Sequence, residues 1–106
     1  MIARVWSARA TAASAPAYVE HLKAHVLPEL HGIAGFAGAS LLQRAAGDGV
    51  EIVVITRWQS LDAVRGFAGD DFEAAVVADE AAVVLTDYDR RVQHYEVVVD
   101  EPAAVA

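Results

Sequence analysis

The sequence predicts an α+β domain whose antiparallel sheet follows the order β-α-β-β-α-β. Three observations predict it. Residues 2–9 alternate between two sides and lead into an apolar stripe at helical spacing, Ala15, Tyr18, Val19, Leu22, Val26 and Leu30. Gly47-Asp48-Gly49 sits between two apolar runs, which is a hairpin signal. The stretch from Gly49 to Asp71, GVEIVVITRWQSLDAVRGFAGDD, carries an apolar strand through Ser60 straight into a second helical stripe.

The first strand puts Ile2, Arg4, Trp6 and Ala8 on one side and Ala3, Val5, Ser7 and Arg9 on the other. Thr11–Ala15 is a loop, where Ser14 suits an N-cap and Pro16 a first helical turn. The first helix runs to about His31, and Pro28 should bend or end it. Gly32 and Gly35 lead to a second strand over about Phe36–Arg44. The third strand spans Val50–Gln59, and the hairpin makes these two antiparallel neighbours. Leu61, Val64 and Phe67 mark the second helix. Gly66, Gly69 and Asp70-Asp71 break it, with a helical restart expected near Phe72 under an aspartate cap. The segment Asp79–Asp89 reads equally as helix or extended chain. A last strand covers Arg91–Val99, which gives a domain over 1–99 and a frayed tail over 100–106.

That order is the ferredoxin-like split β-α-β arrangement. Both helices must cover one sheet face. The other face is apolar too, since Val53 and Ile55 lie opposite Val54 and Thr56. An apolar outer face needs a cover, and two such sheets face to face make a homodimeric α+β barrel.

Composition narrows the function classes. A chain of 106 residues is one domain. Hydrophobic residues make up 56%, glycine excluded. Ordinary domains reach about 45–50% with glycine included, and a buried homodimer interface would absorb the surplus. A net charge of −7 argues against nucleic acid and against an anionic membrane surface. The absence of cysteine excludes disulfides, thiolate metal sites and cysteine nucleophiles, and fits a cytoplasmic protein. The N-terminus lacks a signal-peptide pattern, and no apolar run approaches a membrane span.

Trp58-Gln59-Ser60-Leu61-Asp62-Ala63 reads W-x-S-x-x-A after an apolar strand. Gly66-Phe67, an aspartate and Phe72-Glu73-Ala74-Ala75 follow it. With Ile2-Ala3-Arg4-Val5-Trp6 at the start and Val92-Gln93-His94-Tyr95-Glu96-Val97 near the end, the order resembles the antibiotic biosynthesis monooxygenase family over roughly residues 1–99. The resemblance implies a dimeric α+β barrel. It also implies cofactor-independent oxygenation of an aromatic or quinone-type small molecule, in a cavity between helices and sheet. Heme-degrading relatives of this superfamily carry a tryptophan matching Trp58, a first-strand asparagine and a histidine after F-x-A-A. Here those last two places hold Val5 and Val76, which argues against heme degradation by that route.

The expected roles follow from the resemblance and the strand pattern together. Trp58, Phe67 and Trp6 would line the cavity, although core or interface packing is the plainer account of Trp6. His94 and Tyr95 are adjacent, so they point to opposite faces of the last strand, and the one facing the cavity would handle the proton. Arg4 would hold an oxygen anion. A salt bridge from Arg4 or Arg57 to Glu51 or Glu96 is the structural alternative. His21, His25 and Glu29 share one helix face without a partner motif, so no metal is expected. No dinucleotide, phosphate-loop or serine-elbow motif is present, and no cofactor is expected. Two other readings keep the fold: a cavity that binds a hydrophobic ligand without turnover, or a structural dimer with the cavity filled. Open space between helices and sheet separates the first readings from the last.

Overall fold

The structure, a computed structural model, describes residues 1–104. Strand β1 (Ile2–Thr11) pairs antiparallel with β3 (Gly49–Trp58) along its whole length, from Ile2 opposite Trp58 to Thr11 opposite Gly49. On its far side β3 pairs with β2 (Phe36–Ala46), closed by the turn at Gly47 and Asp48. A bulge between Phe36 and Gly38 shifts the register of that pair. Two short strands, β4 (Asp87–Tyr88) and β5 (Gln93–Glu96), both pair antiparallel with β1. The spatial order β2-β3-β1-β4, with β5 also on β1, is the ferredoxin-like antiparallel sheet.

The expected last strand, Arg91–Val99, is shortened to Gln93–Glu96, and β4 falls in the segment that read equally as helix or extended chain. Between β4 and β5 the chain leaves β1 and bonds to the segment after the second helix. The Ala75 N–H donates to the Arg90 carbonyl at 2.9 Å, and the Val92 N–H donates to the Glu73 carbonyl at 2.8 Å. Neither regular β-sheet nor helix occurs near Phe72, where a helical restart was expected. Asp71 instead accepts the Ala74 N–H in a turn, and its carboxylate pairs with Arg91 at 2.8 Å. The pull of this cross-chain pairing outweighs a one-turn helix that has little apolar face to bury. The ambiguous segment resolves into a single turn, α4 (Asp79–Ala82), followed by β4. Residues 97–104 have no regular structure, and Val105 and Ala106 of the expected tail lie outside the described residues.

The first helical region has three parts: α1 (Ala15–His21), five π-helical residues over Leu22–Val26, and α2 (Leu27–His31). Pro28 explains the middle part. It has no N–H, and its ring would crowd the Ala24 carbonyl four residues back. The backbone widens one turn, and the Leu27 N–H bonds back to the Leu22 carbonyl. Helix α3 (Leu61–Ala68) starts at Ser60, whose hydroxyl accepts the Ala63 N–H at 3.1 Å. Gly35 lets α3 sit close: its φ is +87°, and a Cβ there would lie 2.4 Å from the Ala63 Cβ.

Even-numbered residues of β1 and β3 face the helices and build the core. Trp6, Ala8, Ala10, Ile52 and Val54 meet Tyr18 and Leu22 in one cluster, while Trp58 meets Leu30 and Val64 in a second. The opposite sheet face has no cover among the described residues. Val5, Val53 and Ile55 are half-buried there, and Leu42 is 51% exposed. No helix among the described residues is long and apolar enough to cross a membrane.

Candidate active site

The space between helices and sheet is open. An apolar cavity of about 70 Å³ lies there. Arg4, Trp6, Val54 and Thr56 form its floor, and Tyr18, Leu22, Val26, Leu27 and Leu30 form a wall from the first helical region. Phe67 of α3 closes one side. Val76, Val77 and Ala78, in a segment with neither helix nor strand, close another. A dry apolar cavity of about 150 Å³ holds a single benzene, so this one holds less than one aromatic ring. A larger ligand must move a wall, and Val76–Ala78 has no ladder to hold it in place.

Arg4 is the charged group of the floor, and it is 4% exposed. One terminal nitrogen, Nη1, donates to the Phe72 carbonyl and reaches His94 Nε2 at 3.0 Å. The other, Nη2, donates to the Ala74 carbonyl at 2.8 Å. Its guanidinium carbon lies 5.5 Å from the Phe67 ring centroid. Among the described residues Arg4 forms no ion pair; the expected partner Glu51 pairs instead with Arg44 at 2.8 Å. Burial pulls the Arg4 guanidinium down to about 10, which leaves it cationic at neutral pH. Arg57 sits on the uncovered face and donates to the Ser40 hydroxyl at 3.3 Å.

The strand register decides between His94 and Tyr95. His94 lies opposite Arg4, on the helix side, with its ring 5.5 Å from Phe72. It stands behind Arg4 and does not line the cavity. Burial, then the neighbouring Arg4 charge, hold its pKa below the usual histidine range, with Glu73 pulling the other way. Tyr95 is on the uncovered sheet face and 58% exposed.

The three aromatic candidates separate as well. Trp6 and Phe67 line the cavity. The Trp6 indole N–H donates to the Asp89 carbonyl at 2.8 Å, which fixes its ring beside Tyr18. Trp58 is fully buried and contributes no wall. It stacks on Phe67 at 5.5 Å and meets Phe36 edge-on at 5.3 Å, so it stands behind the wall that Phe67 presents.

Two cavity residues escaped the sequence reading as site candidates. Tyr18 appeared as a core position, yet its ring lines the cavity, and burial pushes its hydroxyl up to about 12, so it stays protonated as a donor. His21 appeared only as half of a helical histidine pair. It is half-buried, faces the cavity and the surface groove beside it, and lies 5.5 Å from His25 ring to ring. Its spacing from Tyr18 and Leu22 on the apolar stripe was the available signal. Among the described residues no three His, Asp or Glu side chains are grouped to hold a metal ion.

A β-α-β-β-α-β order with both helical regions on one sheet face and an apolar cavity beneath them defines a ferredoxin-like α+β domain. The antibiotic biosynthesis monooxygenase family model matches residues 1–78, and the chain belongs to that family. Solved structures share the fold. A Bacillus cereus protein assigned as an antibiotic biosynthesis monooxygenase superposes with a TM-score of 0.71 at 17% identity, covering 99% of this chain and 98% of its own. The heme degrader MhuD of Mycobacterium tuberculosis, with two hemes in its active site, gives 0.62 at 25% identity over 96% and 100%. The monooxygenase ActVA-Orf6 of Streptomyces coelicolor, in complex with nanaomycin D, gives 0.59 at 19% over 99% and 92%. No curated protein matches the chain.

Proposed function

We propose that this protein is a cofactor-independent monooxygenase acting on an aromatic or quinone-type small molecule that reacts as its anion. One observation carries the reading. Arg4 is a buried cation with no carboxylate partner among the described residues, set in the floor of an apolar cavity. A buried charge is normally paired. An unpaired one favours the ionised form of any phenol or enol brought beside it. Solved structures of the same fold that hold ligands, nanaomycin D in one and heme in another, are consistent with a flat aromatic guest.

The chemistry then needs little else. His21 takes the substrate proton and passes it to solvent. Arg4 holds the resulting oxyanion, with the Tyr18 hydroxyl as a neutral donor nearby. The carbanion form gives an electron to dioxygen, and the two radicals join as a peroxide at carbon. Loss of water leaves a carbonyl. One oxygen atom stays on the substrate and the other leaves as water, while a CH₂ group supplies all four electrons. Trp6 and Phe67 hold the ring plane, Trp58 backs Phe67, and the apolar walls exclude water from the peroxide. His94 holds Arg4 from behind.

The uncovered sheet face fits a homodimer. Val5, Val53, Ile55, Leu42 and Tyr95 make it apolar, and a second copy offers the same surface in return. Tyr95 then belongs to the interface.

Aerobic incubation with a panel of hydroquinones and anthrones tests the reading. Mass spectrometry should find a product that gained one oxygen and lost two hydrogens, labelled when ¹⁸O₂ is supplied. Arg4→Gln should slow turnover by about 10²–10³-fold, as loss of an oxyanion donor does. An unchanged panel, or an undiminished rate in Arg4→Gln, overturns it.

A further inference from the structure

We propose that His94 is the residue that sets the charge class of the ligand: as a neutral acceptor it holds the Arg4 guanidinium without cancelling its charge, and so selects a planar aromatic monoanion over the uncharged molecule of the same shape. The inference rests on the anion-binding reading of Arg4 given above.

Consider what Arg4 needs. Its terminal nitrogens must find acceptors in a site that is nearly dry. A glutamate or aspartate would meet that need best, by a bidentate pair. It would also neutralise the cation, and the cavity would then offer no field to an anion. The structure satisfies Arg4 differently. Its three acceptors are the Phe72 carbonyl, the Ala74 carbonyl and His94 Nε2, all neutral.

Position 94 is where this choice is made. The two carbonyls are backbone and come with any sequence. The residue opposite Arg4 in the β1–β5 register is a side chain, and the register brings it to the guanidinium whatever it is. An acidic residue there is sterically ordinary; Glu96, two positions on, faces the same side of the same strand. Histidine keeps the contact and leaves the charge. Because Arg4 donates to Nε2, the ring carries its proton on Nδ1. Phe72 packs against the ring and fixes its plane.

Burial first, and then the Arg4 charge, favour the neutral ring. Arg4 comes from β1 and repels a proton, and Glu73 attracts one from the segment after α3. Arg65 of α3 lies over Phe72, 5.0 Å from its centroid, and Phe72 is the ring packed against His94.

The test compares 1-naphthoate with 1-naphthamide, two molecules alike in shape and unlike in charge. Calorimetric titration of the whole chain at pH 7.5 should favour naphthoate by about tenfold or more, in line with a charge-assisted bond. His94→Gln keeps a neutral acceptor and should keep the preference. His94→Glu pairs with Arg4, so the fold is retained, and the preference should collapse towards unity with naphthamide binding unchanged. A preference that survives His94→Glu overturns the proposal, as does one lost in His94→Gln or absent from the unaltered chain. A second measurement needs no variant. The ¹⁵N shifts of His94 at pH 7.5 should show Nδ1 protonated and Nε2 bare, and a protonated Nε2 overturns the assignment. Failure of oxygenation alone looks different: naphthoate is preferred and lost in His94→Glu, while no substrate on the panel gains oxygen.

Discussion

The Trp58 indole N–H donates to the Thr56 hydroxyl at 2.9 Å, tying a ring with no cavity contact to a residue that lines the cavity. Trp58 acts on the site through its neighbours. Thr56→Val strands a buried donor and should cost about 1–3 kcal/mol, whereas Thr56→Ser should be near neutral. Trp58→Ala should cost about 3–5 kcal/mol. Trp58→Phe should lower stability modestly and leave 1-naphthoate affinity unchanged. Denaturant midpoints and calorimetry read both quantities, and a large affinity loss in Trp58→Phe would place the ring at the ligand.

Arg4 gives the site an alkaline limit. The guanidinium, drawn down to about 10, is charged below that pH and neutral above it. Affinity for 1-naphthoate should therefore fall as pH rises through about 10, where an ordinary arginine would still be charged. Affinity for 1-naphthamide should not follow. Tyr18 sets a separate limit on the fold. Its pKa is raised to about 12, so its contribution to stability is intact below the unfolded value near 10 and is lost as pH climbs towards 12. Thermal melts recorded beside the titrations distinguish the two. Constant naphthoate affinity from pH 8 to pH 11 would contradict the role given to Arg4.

Assembly is read by light scattering. At micromolar concentration the chain should show twice its 11.2 kDa mass, with more than about 1,000 Å² buried between copies. Ile55→Glu puts a charge at the centre of the uncovered face and should yield a folded monomer. A monomer in the unaltered chain would refute the sheet-to-sheet dimer.

Val76 allows a test of heme chemistry. It lines the cavity and is 54% exposed, directly after Phe72-Glu73-Ala74-Ala75. Hemin added to the unaltered chain should give no sharp Soret band of a histidine-ligated species. Val76→His should supply the ligand and produce one. A sharp band without the substitution, abolished by His25→Ala, would point to the first helical region instead.

Strand alternation and the Gly47-Asp48-Gly49 turn were enough to read the sheet, because period two and turn chemistry are local properties. The separation of β4 from a shortened β5 was not legible. It comes from bonds between residues 73–75 and 90–92, about seventeen positions apart, which no local pattern records. The same limit applies to the site. Alternation put Arg4 and Trp6 on one side together, and the structure keeps them there. Which of His94 and Tyr95 joins them depends on the register of β5 against β1, a long-range pairing. The place of Trp58 depends on Phe67 coming between it and the cavity, and side-chain layering leaves no trace in spacing.

The π-helical turn at Leu22–Val26 has a consequence for chain length. Such a turn amounts to one residue inserted into an α-helix. Deleting a single residue there would let α1 and α2 join without a break, and neither β1 nor β2 would need to move. The widened turn has already absorbed that residue, so the residues on either side would keep their facing. Leu27 and Leu30 would stay on the cavity with Tyr18 and Leu22. Only the stretch of wall over Leu22–Val26 would tighten. The helix thus holds one residue of slack beside the cavity, and a change of one in length is taken up there without disturbing the rest of the wall.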